Sequence, residues 1–202
     1  MKLLRLCSIL ALTVGLMGSA GAQNFAWTLK GAKAPETTGA TDLLKVNYFS
    51  NANSTAPDGT VRISNPGSAA GDLCAQIYVF DPVQEMVECC ACLVTPDGLR
   101  TLSVNTDLTS NTLTSVTPHM GSVSIVSGIV PSNGVCSPLN NLVYPTLRAW
   151  GTHIQDLPTD TITETEYSDR ALGPWNDNLL IDCYGIVLDG SGHGICSCGS
   201  GD

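Results

Sequence analysis

The residues best equipped for chemistry are cysteines. The chain has nine: Cys7 lies in an apolar N-terminal run, and the others are Cys74, Cys89, Cys90, Cys92, Cys136, Cys183, Cys196 and Cys198. An even set of thiols in a chain that meets an oxidising compartment reads as disulfides. Spacing alone does not choose the partners. If residues 88–94 form a strand, Cys90 and Cys92 share one face and Cys89 takes the other. Cys196 and Cys198 share a face of an extended tail, so the two C-x-C pairs can meet as neighbours. Cys183 is then a candidate partner for Cys196 or Cys198, with Cys74 and Cys136 left for the rest of the 89–92 cluster. The competing chemistry is coordination. Thiolates with His193, three residues before Cys196, are soft ligands for zinc or copper. Paired C-x-x-C motifs with zinc-finger spacing are lacking, as is the C-x-x-C-H of covalent haem. The balance favours disulfides, and no metal or cofactor is assigned.

Hydrolytic chemistry has weaker support. A serine hydrolase needs a nucleophile on a strained turn, a histidine base and an orienting acid. The histidines are His119, His153 and His193, and no G-x-S-x-G is present. The stretch 189–194, Asp-Gly-Ser-Gly-His-Gly, reads as a glycine-rich turn with His193 in it. His153 alternates with its neighbours on a strand and is expected at a surface or rim, and His119 follows Pro118 in a loop. Carboxylate pairs such as Glu85 with Glu88, or Glu164 with Glu166, carry little signal, because their separation in space is not written in the sequence. Asp-Gly at 58, 97 and 189 marks turns and lacks the ligand spacing of a calcium loop. There is no phosphate-binding or dinucleotide fingerprint and no H-E-x-x-H. Asn53-Ser54-Thr55 is a formal glycosylation sequon. No catalytic residue is assigned.

The elements that would position these residues are mainly strands. Short apolar runs at 44–49, 60–64, 73–80, 85–94, 99–104 and 122–130, with another inside 142–154, are separated by turn residues such as Asp81-Pro82 and Pro96-Asp97-Gly98. This rhythm predicts an immunoglobulin-like antiparallel β-sandwich over residues 42–202. Thr163-x-x-Glu166 has the form of a capping box and predicts a short helix near 164–171. Trp175, Leu179, Cys183 and Ile186 fall near one helical face after Pro174, which predicts a helix over 175–187. Residues 23–29 alternate, with Phe25, Trp27 and Leu29 on one side, and 31–41 read as a linker. That strand either begins its own domain or adds to the sheet edge of a neighbouring subunit; most terminal strands pack in their own domain.

The N-terminus sets the compartment. Lys2 and Arg5 precede an apolar run over 6–17, and Ala20-Gly21-Ala22 is an A-x-A cleavage site, so residues 1–22 read as a signal peptide. Its loss takes two basic residues and moves the formal charge from −9 to −11. An acidic chain without a basic patch is a poor partner for nucleic acid or anionic membrane. Nothing after the leader is long and apolar enough to span a bilayer.

Three stretches carry a resemblance: 61–67 (Val-Arg-Ile-Ser-Asn-Pro-Gly), 73–103 with its Cys-Cys-Ala-Cys, and the tail 191–198 (Ser-Gly-His-Gly-Ile-Cys-Ser-Cys). Together they resemble a group of exported cysteine-rich proteins of acidobacterial-type soil bacteria. The resemblance implies a leader and a cysteine-stapled domain, and brings no activity. The expectation is a secreted, non-catalytic structural or binding protein, with self-association or cell-surface components as its partner classes. The alternatives are a fibre subunit joined by N-terminal strand exchange through Phe25, Trp27 and Leu29, and a small hydrolase or metal-binding protein centred on His193.

Overall fold

Alternation at period two makes the strands. In Thr60–Ser64 the buried residues are Val61 and Ile63, and the three between and beside them are half-exposed. Leu73–Phe80 and Met86–Val94 are buried on both faces along most of their length, because the sheet has a core on one side and a helix on the other. In the computed structural model of the chain, the described residues are 41–51, 57–67, 71–155, 161–173 and 175–199. The expected leader, the strand with Phe25, Trp27 and Leu29, most of the 31–41 linker and the Asn53 sequon lie outside them.

The elements in chain order are β1 (Leu44–Asn51), β2 (Thr60–Ser64), β3 (Leu73–Phe80), β4 (Met86–Val94), β5 (Leu99–Ser103), a π-turn (Val104–Leu108), β6 (Met120–Ile129), β7 (Arg148–Gln155), β8 (Thr161–Glu166), β9 (Ser168–Arg170) and α1 (Trp175–Asp189). They form a nine-stranded sheet in the order β4-β3-β6-β1-β7-β2-β5, with β8 paired to β7 and β9 paired to β1. Neighbours are antiparallel except β1 and β7, which pair in parallel at Ser50–His153 and Asn51–Ile154. The fold is mainly β, and this mixed sheet is nearly closed into a barrel. The expectation of an immunoglobulin-like antiparallel sandwich therefore holds at the level of class only. Hydrogen bonds run through β1 and β7 and join what would be two separate sheets.

Phe49, Ile63, Ile77, Leu102, Val123 and Ile125 fill the interior. A second cluster covers the outer face, where Leu44, Tyr78 and Val126 meet Leu179, Cys183 and Ile186 of α1. The helix thus starts where its apolar spacing placed it and runs two residues beyond 187.

The chain's last described residues complete the closure. They lie along β4 at the open end of the sheet. Cys89 donates its backbone N–H to Gly194 (2.8 Å), and Ser197 donates its own to the Asp107 carbonyl in the π-turn (2.9 Å). Arg100 on β5 reaches the Leu93 carbonyl of β4 (3.1 Å) and the Cys198 carbonyl (3.4 Å). Two disulfides, Cys90–Cys196 and Cys92–Cys198, rivet this tail to β4. The other two are Cys89–Cys183, which ties β4 to α1, and Cys74–Cys136. The C-x-C pairs do meet. Cys183 does not join the tail, and Cys74 and Cys136 pair with each other. The reason is facial: Cys89 points outward from β4 toward the helix, while Cys90 and Cys92 point inward.

The helix expected near 164–171 is absent; those residues are in β8 and β9. Thr-Ile-Thr-Glu-Thr-Glu has period two and is rich in β-branched residues, and its pairing with β7 outweighs a cap signal of four residues.

Candidate functional site

None of the eight cysteines in the described residues is a free thiol. His193 is exposed, and Cys196, its nearest soft partner in sequence, is bonded to Cys90. Among the described residues no group of three His, Cys, Asp or Glu side chains is placed to hold a metal. His119 is exposed, and its carbonyl accepts from the Asn51 N–H (2.8 Å). Glu164 is paired with Arg62 and Glu166 with Arg148, so those two carboxylates serve different arginines. Glu85 is exposed while Glu88 is fully buried.

The structure instead gathers polar groups where β1, β7, β8 and β9 converge. Lys45 is 1% exposed and forms an ion pair with Asp169 (2.6 Å), while donating to the Asp42 carbonyl (2.7 Å). Asn47 donates to the Thr165 hydroxyl (3.0 Å), and that hydroxyl is 2.7 Å from Nε2 of His153. His153 is fully buried, contrary to its expected rim position: Tyr48 of β1 lies on its ring and Thr165 of β8 meets its Nε2. Among the described residues its Nδ1 has no hydrogen-bond partner, and burial lowers the pKa of the ring. Tyr167 is buried next to Gly151 of β7, its N–H donating to the Ala149 carbonyl (2.9 Å), and desolvation raises its phenol above the ordinary range.

Tyr48 brings this buried group to the surface. Its ring stacks on His153 with centroids 3.8 Å apart and planes 18° apart. Tyr48 is nevertheless half-exposed. It lines a shallow trough of about 380 Å³ with Ser50, Asp81, Pro82, Met120 and Ser122. Small residues on β6 make the floor: Ser122 lies between Tyr48 of β1 and Phe80 of β3. Asp81 stands at one end, its Oδ1 accepting from the N–H groups of Val83 (3.0 Å) and Glu85 (2.9 Å).

A separate buried acid sits at the barrel's sealed end. Glu88 accepts the Asn111 N–H at Oε1 (2.8 Å), and among the described residues Oε2 has no hydrogen-bond partner. Desolvation pushes its pKa up to about 7, against a smaller lowering by the Asn111 bond. Asn111 in turn holds the tail, donating to the carbonyls of Gly192 (2.9 Å) and Ile195 (3.2 Å). The outward side of α1 is also apolar, with Ile181, Tyr184 and Leu188 exposed.

Sequence reasoning missed Tyr48 and Glu88. Both had a signal. Tyr48 alternates with Phe49 and so faces outward, and Glu88 is the lone charge in an otherwise apolar strand. Lys45 and Asn47 had none, since their side-chain partners Asp169 and Thr165 lie more than a hundred residues away. No family model, curated protein or solved structure matches the chain.

Proposed function

We propose that this chain is a non-catalytic exported protein with a binding or structural role at the cell surface or outside the cell. One observation carries the reading. The groups with the most reactive chemistry are already engaged: the cysteines are in disulfides and His153 is enclosed by Tyr48 and Thr165. Four disulfides suit an oxidising compartment, and no helix among the described residues is long and apolar enough to cross a membrane. Cleavage after Ala22, export and membership of the exported cysteine-rich group are parts of the same proposal. So is an immunoglobulin-like sandwich arrangement for this mainly β body. The test is to purify the export-processed chain and screen it against esterase, glycosidase, peptidase and phosphatase substrates, with metal content measured in parallel. Mass spectrometry of the unreduced protein should show the loss of eight hydrogens. Turnover above a heat-killed control, or a stoichiometric transition metal, overturns the reading.

A fibre subunit is the second reading. What favours it is β8, which among the described residues pairs with β7 and is exposed along its length, an edge to which a strand can add. Deleting residues 23–33 should then abolish assembly and leave a folded monomer, as read by size-exclusion chromatography and negative-stain microscopy. Loss of folding assigns Phe25, Trp27 and Leu29 to the body of their own domain. The hydrolase or metal reading at His193 has no observation in its favour.

A further inference from the structure

We infer that the trough over β6 binds a neutral glycan, with Tyr48 as its stacking platform. This deepens the binding reading above and rests on it. The ring of Tyr48 is half-exposed but not loose. One face lies on His153, and His153 is itself fixed by Thr165 at 2.7 Å. The exposed part of the ring lines the trough. A ring held in advance costs little ordering entropy when a ligand arrives. Its negative π-face attracts the weakly positive C–H groups that line one side of a pyranose.

The polar groups fit the rest of a sugar. Asp81 is oriented by two backbone N–H groups at Oδ1, which leaves Oδ2 to accept from a ligand hydroxyl. Ser50 donates to the Ile154 carbonyl (3.0 Å) and keeps its lone pairs for a second hydroxyl. Ser122 on the floor both donates and accepts. These groups are rich in acceptors and therefore ask for a ligand rich in O–H donors. A proline-rich peptide also stacks on tyrosine, yet it presents carbonyls and needs donors from the protein. No lysine or arginine lines the trough, and the chain is strongly acidic, which turns away phosphorylated or sulfated ligands. The volume of about 380 Å³ is within the range of small-molecule sites, and its shallow, open form suits one or two sugar units of a longer chain.

The experiment uses the processed full chain and isothermal titration with cellohexaose, chitohexaose and decaproline as probes. One of the two hexaoses should bind saturably. Y48A should weaken it by at least about tenfold, whereas Y48F, which keeps the ring, should stay within about twofold. Because Y48A uncovers His153 and can unsettle the fold, S122R is the second variant: it fills the trough from its floor and should abolish binding without a change in melting temperature. The inference is overturned if neither hexaose binds at millimolar concentration, if S122R binds as the parent does, or if decaproline is the probe that binds. Reducing ends released from a hexaose, and lost in S122R, would uphold the site while sinking the non-catalytic reading. Normal surface binding by S122R would uphold that reading and sink the site.

Discussion

Glu88 makes the stability of this protein depend on pH in a calculable way. Its carboxyl is fully buried, with one N–H bond from Asn111 and no charged group contributing to its pKa of about 7. A free glutamate titrates near 4.3. The folded state therefore prefers the protonated form. Below about pH 4 the group is neutral folded or unfolded, and the preference is fully expressed as stability. As pH rises through 4.3 the unfolded chain ionises while the folded chain does not, and stability falls until the folded group ionises near 7. Each pH interval of one between the two values costs about 1.4 kcal/mol. Water reaching the neighbouring loop discounts the sum, which we place at roughly 2–3 kcal/mol. For a chain of this size that is a drop of about 5–10 °C in melting temperature. E88Q keeps the acceptor for Asn111 and cannot ionise. The assay is calorimetry of both proteins from pH 4 to pH 8. The parent should lose stability relative to E88Q between about pH 4.5 and 7 and run parallel to it above. His153 acts in the opposite direction, since its lowered pKa costs stability as pH falls below about 6.5, but it is common to both proteins and cancels in the difference. A difference that stays flat across the range refutes the reasoning.

Other perturbations follow from the same geometry. The double variant C92S/C198S releases one tail rivet and should cost about 2–4 kcal/mol in urea unfolding, while a strong reductant, which breaks all four bridges, should abolish cooperative melting; an unchanged melt under reductant refutes the staple argument. D169N leaves Lys45 buried with only the Asp42 carbonyl as partner and should cost about 1–3 kcal/mol, discounted for the partial exposure of Asp169. E164Q, at an exposed pair with Arg62, should change denaturant midpoints by less than about 1 kcal/mol. G121A places a methyl group against the Phe80 carbonyl and 2.7 Å from Cε1 of Phe49; overpacking there should cost at least about 2 kcal/mol in thermal melts.

What could be read from the sequence was local. β2 falls on the residues its alternation marks and α1 starts at Trp175, because burial on one side leaves its period in the residues themselves, while β3, buried on both faces, shows as an almost unbroken apolar run. The parity of the cysteines was legible for the same reason: it needs only a count and a compartment. What failed needed partners far along the chain. Thr163-x-x-Glu166 looks like a helix cap until β7 supplies a strand to pair with. His153 looks like a rim residue until Tyr48 stacks on its ring and Thr165 meets its Nε2. The pairing of Cys89 with Cys183 depends on α1 lying against the outer face of β4, and the parallel contact of β1 with β7 joins residues a hundred positions apart. Of the trough, Tyr48 was open to a reading by alternation. Asp81 was read only as a strand stop.

The tail also decides how subunits of this kind could join. Among the described residues the main path of the sheet ends in β4 and β5, while β8 and β9 lie off that path. Unprotected, β4 or β5 would template the addition of a foreign strand. β4 is occupied by residues 194–196 through backbone bonds on both sides of Cys89, and two disulfides make that occupation permanent in an oxidising compartment. β5 faces the same tail through Arg100. Assembly by strand exchange would therefore use another edge, and among the described residues β8 and β9 each pair with a single strand and are exposed. The outward residues of β8 argue against promiscuous use: Glu164 and Glu166 place like charges along the edge, and each is only partly neutralised by an arginine of its own chain. An incoming strand with basic residues would be accepted, and a second β8 would be repelled. The disulfides thus do more than stabilise the barrel: they hold the tail along β4, an edge at which a foreign strand would otherwise add.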